Sequence, residues 1–223
     1  MLGEAAVAIW CDVAFEVRDE FDDWHAHEHM PERLSIPGFR RGSRWAADAG
    51  TGYFMLYEAQ SEATITRGPY VERLNHPTPW SRKMMPHHRN MVRSLCRVDA
   101  TFGAGLGQAL LTVRFAPNPR DADRLKAWLT KDLLPGMPSR KGLVAAHLLR
   151  NIARQDAART TEQKLRGGDA AADWVVLVTG YRADAVASVA AEEMADAAMV
   201  ARGAMPGSIT GLYRLAYVLS EGN

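Results

Sequence analysis

Apolar and polar positions along the chain change period several times, and the changes come in the same order twice. Residues 5–14 alternate and are rich in apolar residues, which predicts a strand. Residues 18–35 place Phe21, Trp24, His27/Glu28 and Leu34 at helical spacing and stop before Ile36-Pro37-Gly38, so a helix is expected there. Phe39 to Trp45 alternates again. Phe39, Arg41, Ser43 and Trp45 are predicted on one face and Arg40, Gly42 and Arg44 on the other. Residues 53–60 form a third strand, 61–76 a second helix and 91–100 a fourth strand, while the proline-rich 77–89 stretch reads as an irregular connection. The order is βαββαβ.

The second half repeats it. A shift of 104 lays Phe21, Trp24, Pro31 and Gly38 on Leu125, Trp128, Pro135 and Gly142. From residue 53 the shift becomes 121, so that Tyr53-Phe54-Met55-Leu56 falls on Trp174-Val175-Val176-Leu177. The change of 17 places an insertion around 156–172, whose charges and glycines predict a solvated loop. The repeats divide as 1–103 and 104–223. A split βαβ unit makes a four-stranded antiparallel sheet with both helices on one face, and its bare face favours packing sheet to sheet. First and last strands of such a unit are neighbours, so Cys11 is expected to approach Cys96, and Phe115 to approach Tyr217.

Composition narrows the functional classes. Lys plus Arg is 27 against 26 Asp plus Glu, a balance that argues against a nucleic-acid partner. Hydrophobic residues at 47% and charged residues at 24% suit a globular chain, and no apolar run reaches the length of a membrane span. Glu4 stands where a signal peptide carries Lys or Arg, so a cytoplasmic protein is expected. Two cysteines give neither a disulfide framework nor a metal-ligand spacing. The sequence has no G-x-G-x-x-G, phosphate loop or G-x-S-x-G, and GAGLG at 103–107 precedes a strand rather than a helix.

The stretch FDDWHAHEHMPERLSIPGFRRGSRW resembles the signature of the dimeric α+β barrel superfamily, close to its EthD-like branch. The residues that carry the resemblance are Trp24, His29, Met30, Pro31, Pro37, Gly38, Phe39, Arg44 and Trp45. It covers residues 5–100, and reaches the second half only through the repeat. Most members are single repeats that dimerise. This chain is similar to a tandem version, two ferredoxin-like βαββαβ repeats forming one α+β barrel. The resemblance implies small-molecule chemistry without a cofactor: lactone isomerisation, polyketide cyclisation or dehydration, or oxygenation of phenols.

His29 occupies the position matching the family motif and is the first candidate for general acid/base catalysis, with Tyr57, His87 and His88 beside it. His87 and His88 follow Pro86 at the start of a strand, where one points inward and the other outward. Trp24, His25, His27, Arg44, Trp45 and Trp80 are the candidate substrate-binding residues. His25 and His29 are four apart and could also hold a metal, although no metal-site spacing surrounds them. The repeat supplies a control: His25, His27 and His29 fall on Leu129, Lys131 and Leu133, and His87 and His88 on Ser208 and Ile209. Packing residues persist in the second copy and the imidazoles do not, which points to one polar site in the first half. A non-catalytic binding protein and haem- or metal-dependent oxidation remain as alternatives, and a homodimer stays open.

Overall fold

A computed structural model describes residues 1–50, 52–152 and 158–221. In chain order the first repeat gives β1 (Ala5–Val13), α1 (Arg18–Trp24), α2 (Met30–Leu34), β2 (Phe39–Ala47), β3 (Gly52–Ala59), α3 (Glu62–Thr66), α4 (Pro69–Asn75), α5 (Pro79–Met84) and β4 (His88–Phe102). The second gives β5 (Ala109–Phe115), α6 (Ala122–Ala127), β6 (Leu143–Asn151), α7 (Thr161–Leu165), β7 (Trp174–Gly180), α8 (Ala183–Ala191), α9 (Asp196–Ala201) and β8 (Ile209–Ser220). The fold class is α+β with ferredoxin-like units, as the repeat of βαββαβ requires.

Two compact units share the chain. One is built from Leu2–Arg97, Ile152–Ala171 and Ala216–Asn223, the other from Val98–Asn151 and Ala172–Leu215 with Met1. Each has its own apolar core. In the first unit the strands run β4-β1-β3-β2, followed by the end of β8; in the second they run β6-β7-β5-β8. All registered pairs are antiparallel. β1 lies between β3 and β4, so its apolar run is buried on both faces, as a central strand demands.

The first-unit helix keeps the expected span but changes pitch. Between α1 and α2, His25–His29 forms a π-helical turn. Pro31 has no N–H to return to the preceding turn, and the helix widens just ahead of it. The second unit widens in the same place, over Trp128–Leu133 before Pro135, although it has no histidine there. The wide turn therefore belongs to the repeat and not to the imidazoles. Gly38, at φ 97°, closes the helix and lies against Thr64, where a Cβ would meet Oγ1 at 2.7 Å; Gly142 repeats the conformation at φ 93°.

Several expectations are corrected. A bulge between Phe39 and Arg41 shifts the alternation of β2, so Phe39 shares its face with Gly42 and Arg44, not with Arg41, Ser43 and Trp45. The 61–76 helix is broken by Gly68 (φ 64°) into α3 and α4. The 77–89 connection is ordered as α5 and a 3₁₀ turn at Met85–His87, because Thr78 caps the Ser81 N–H at 3.0 Å and Pro79 occupies the first helical position. The cysteines do not meet: Cys96 stands opposite Ala6, five residues from Cys11. Nor does Phe115 approach Tyr217, since β5 pairs with β8 through Ile209 to Arg214. Within 158–171 the insertion holds a short capped helix, Thr161–Leu165, and buries the charged side chains of Glu162 and Arg166, so it is not wholly a solvated loop; positions 156 and 157 lie outside the described residues.

Candidate functional site

In the first unit a cavity of about 20 Å3 opens between the β1/β3/β4 sheet and its helices. That volume holds one water molecule. β1 and β3 put Ile9, Met55 and Tyr57 on the same face, with Val7 opposite Tyr57 and Ile9 opposite Met55. The helix adds Trp24, His25, His29 and Arg33, spaced so that all four lie on its buried side. Tyr70 and Leu74 come from α4, while Met85, His88, Met91 and Arg93 come from the start of β4 and the turn before it. Glu162 and Arg166 come from the insertion.

The polar groups are packed closely. Tyr57 Oη and His25 Nε2 share a hydrogen bond of 2.9 Å, and Nδ1 of His25 is buried without a partner. His29 stacks on Trp24 with ring centres 4.4 Å apart and stands 5.7 Å from the His25 ring. Its Nδ1 is also buried and unpartnered. Trp24 is fixed in turn by donating to Ser81 Oγ at 3.3 Å. His88 donates from Nδ1 to the carbonyls of Met84 and Met85, both at 3.2 Å, which leaves Nε2 as the lone-pair nitrogen.

Burial is the largest influence on all three imidazoles, and it disfavours the charged ring. His25 is held well below the usual histidine range, with help from the Arg44 charge and then from His88 and Arg33. His29 is likewise held well below the usual range, with burial first and Arg33 as the leading neighbour. His88 is pushed down to about 4, Arg166 adding to burial and the two backbone carbonyls opposing it. Burial drives the Tyr57 hydroxyl the other way, far above the ordinary tyrosine range. At neutral pH the cavity therefore presents three neutral imidazoles and a protonated phenol.

Charge enters from below and from the side. The Arg33 guanidinium is bonded to the Glu162 carboxylate and lies 3.4 Å from Glu32. Arg166 holds Asp169 through two bonds of 2.7 and 2.8 Å. The segment is set by a capping box in which Thr160 and Gln163 bond each other's backbone N–H. Ala170 bonds Met91 and Arg93 at 2.9 and 2.8 Å, fixing the insertion to β4.

Of the residues singled out in the sequence, His29, Tyr57, His88, Trp24 and His25 meet at this cavity. His27 points to solvent, bonded to the Asp23 carbonyl, with its side chain 72% exposed. His87 is half-buried and does not line the cavity. Arg44 is buried on the same face but braces β2 to α1 through the Asp22 carbonyl at 2.9 Å. Trp45 lies on the opposite face of β2, beyond the bulge, donating to Ser43. Trp80 donates to Glu20 at 3.1 Å away from the cavity. Sequence reasoning missed Tyr70, Arg93, Glu162 and Arg166. The Thr160-x-x-Gln163 spacing announces a helix start and could have shown that the insertion is structured.

The second unit fills the corresponding space. Leu129, Leu133 and Val178 stand where the first unit has His25, His29 and Tyr57, and all are buried in its core. Among the described residues no group of three or more His, Cys, Asp or Glu side chains is placed to hold a metal ion, and no helix is long and apolar enough to cross a membrane.

Neither protein-family profiles nor curated proteins match the sequence. Solved structures do match its fold. An anthrone oxidase-like protein superposes with a TM-score of 0.67 at 13% identity, covering 99% of this chain and 94% of its own. A protein from Fusobacterium nucleatum assigned as a monooxygenase gives 0.64 at 8% identity, covering 100% and 97%. Another such protein, from Lactobacillus acidophilus, gives 0.61 at 11% identity, covering 98% and 97%. Identities this low carry the fold alone.

Proposed function

We propose that the chain is an enzyme that takes a proton from a small phenolic or enolisable substrate, with His29 as the base and Tyr57 as the hydrogen-bond donor to the substrate oxygen. The observation that carries this reading is the neutral His29 ring, its buried Nδ1 without a hydrogen-bond partner, standing beside the His25–Tyr57 hydrogen bond in one buried cavity. A neutral imidazole accepts a proton without first losing one, and a tyrosine held in its protonated form donates to developing negative charge. The tautomer of His25 sets whether Tyr57 donates to Nε2 or accepts from it, and in the second case the phenolic proton is free for a ligand. In this EthD-like reading no cofactor is required for the proton transfer, and the resulting carbanion is reprotonated, eliminates a group or reacts with oxygen. The solved neighbours assigned as monooxygenases or oxidase-like favour the last course.

A cavity with room for one water must widen to admit an aromatic ring. Three of its wall residues, Met55, Met85 and Met91, are unbranched and repack more easily than β-branched or aromatic side chains. The test uses an enolisable phenol and measures substrate loss. His29→Ala is expected to slow turnover by about 10²- to 10⁴-fold with little change in melting temperature. The locked tautomer of His88 favours a second reading, in which its Nε2 is the base. His88→Gln would then carry the larger loss; full activity in both variants would remove both residues as the base, and no substrate loss with the unaltered chain would leave a binding protein.

A further inference from the structure

Arg93 differs from the other arginines of the cavity. Arg33 and Arg166 each have a carboxylate partner, and Glu162 serves both, lying 3.6 Å from Arg166. Arg93 is 9% exposed, yet among the described residues no carboxylate lies within ion-pair distance of it. Its guanidinium donates to the Tyr70 hydroxyl at 2.8 Å, with the Tyr70 ring centre 5.7 Å away. A buried cation with no carboxylate in contact is costly unless a neighbouring or bound charge offsets it, and the Asp169 carboxylate, held by Arg166, acts on Arg93 only from beyond ion-pair distance. Arg33 also keeps a buried Nη1 that makes no hydrogen bond, although it stands 3.4 Å from the Glu32 carboxylate. Arg33, Arg93 and Arg166 all line the cavity; Glu162, Glu32 and Asp169 pair with Arg33 and Arg166, and none of the three pairs with Arg93.

We propose that the cavity binds an anionic oxygen group of a small molecule, a carboxylate or an ionised phenol or enol, with Arg93 as its principal partner and Arg33 as the second. This rests on the cavity assigned above to proton transfer and names the class of its substrate. A guanidinium offers paired N–H donors that match two carboxylate oxygens and can also converge on one phenolate oxygen. Tyr70 holds the fork from one edge and leaves the remaining donors for the ligand. In the proposed reaction the same charge would stabilise the enolate that forms when the proton leaves.

The test is equilibrium binding on the full chain, which needs no turnover. Benzoate and acetate probe the carboxylate, benzamide and acetamide are their neutral counterparts, and 4-nitrophenol reports ionisation by its absorbance. At constant ionic strength the carboxylates are expected to raise the melting temperature and the amides to leave it unchanged. Bound 4-nitrophenol should ionise at lower pH than in buffer; response to only one of the two probes identifies the source of the anion. Arg93→Gln is expected to weaken anion binding by about 10- to 100-fold, and Arg93→Lys to recover part of it. Equal binding of benzoate and benzamide, binding of neither anion, or unchanged affinity in Arg93→Gln overturns the proposal. If Arg93→Gln does not fold, the anion-to-amide comparison on the unaltered chain decides. His29→Ala should retain anion affinity, so its loss of activity and a failure of anion binding separate the two readings.

Discussion

At the scale of single residues, the cavity is defined by what burial does to titratable groups. His29 is kept neutral by its surroundings and by the positive charge of Arg33. The acid limb of kcat/KM in the free enzyme is therefore expected below the usual histidine value of about 6.5, with activity level through neutral pH. A limb at or above 6.5 would show that a more exposed group governs the rate. His29 and Tyr57 were legible in the sequence, because one lies in a recognisable motif and both are replaced by core residues in the repeat. Arg93 was not, for the reason that its repeat counterpart is also arginine, Arg214, and identity of type hides a change of environment. Arg93 is buried beside Tyr70; Arg214 is exposed.

Elements show where local signals failed. Alternation alone puts Trp45 on the face of Phe39, but the bulge in β2 adds one residue and moves every later side chain to the other face. The helix through His25 and His29 was read correctly in extent, but a proline-linked π turn leaves no mark on hydrophobic spacing. The glycines and charges of the insertion predict a solvated loop, yet two of those charges are internal: Glu162 and Arg166 have side chains only 3% and 2% exposed. Glu162→Gln removes the carboxylate that Arg33 and Arg166 share, and should cost about 3–5 kcal/mol in urea unfolding, as breaking a buried pair does. A loss below about 1 kcal/mol would return the segment to the status of a surface loop. In the second unit, Leu133→Ala is expected to cost about 2–5 kcal/mol through a core cavity while turnover stays intact.

For the whole molecule, three buried neutral histidines set the pH dependence of stability. Their folded pKa values are depressed, with His88 at about 4, whereas in the unfolded chain they titrate near 6.5. Between those limits the unfolded state binds more protons, so stability is present above about pH 6.5 and is lost as pH falls toward 4. Each histidine contributes up to about 1.4 kcal/mol per pH unit in that window. Urea midpoints should fall together with pH below 6.5, and the double variant His25→Leu/His29→Leu should flatten the slope. An unchanged slope would mean that the rings are protonated in the folded state. The tandem architecture was the most legible feature, since two constant offsets mark it without any structural knowledge. How the segments divide between compact units was not, because contacts are not written in sequence order.

The insertion has one more consequence, concerning symmetry. When two identical single-repeat chains pair about a two-fold axis, every residue is present twice, and an insertion that serves one site must also appear in the other. Joining the repeats in one chain removes that bond between the copies. Residues 158–171 follow a strand of the second repeat, yet they pack within the unit that holds the histidines. One copy has become free to donate a wall, while its own equivalent pocket has closed into aliphatic core. A mutation here is tested in a single context, so each half can drift along its own course: one toward selectivity, the other toward rigidity.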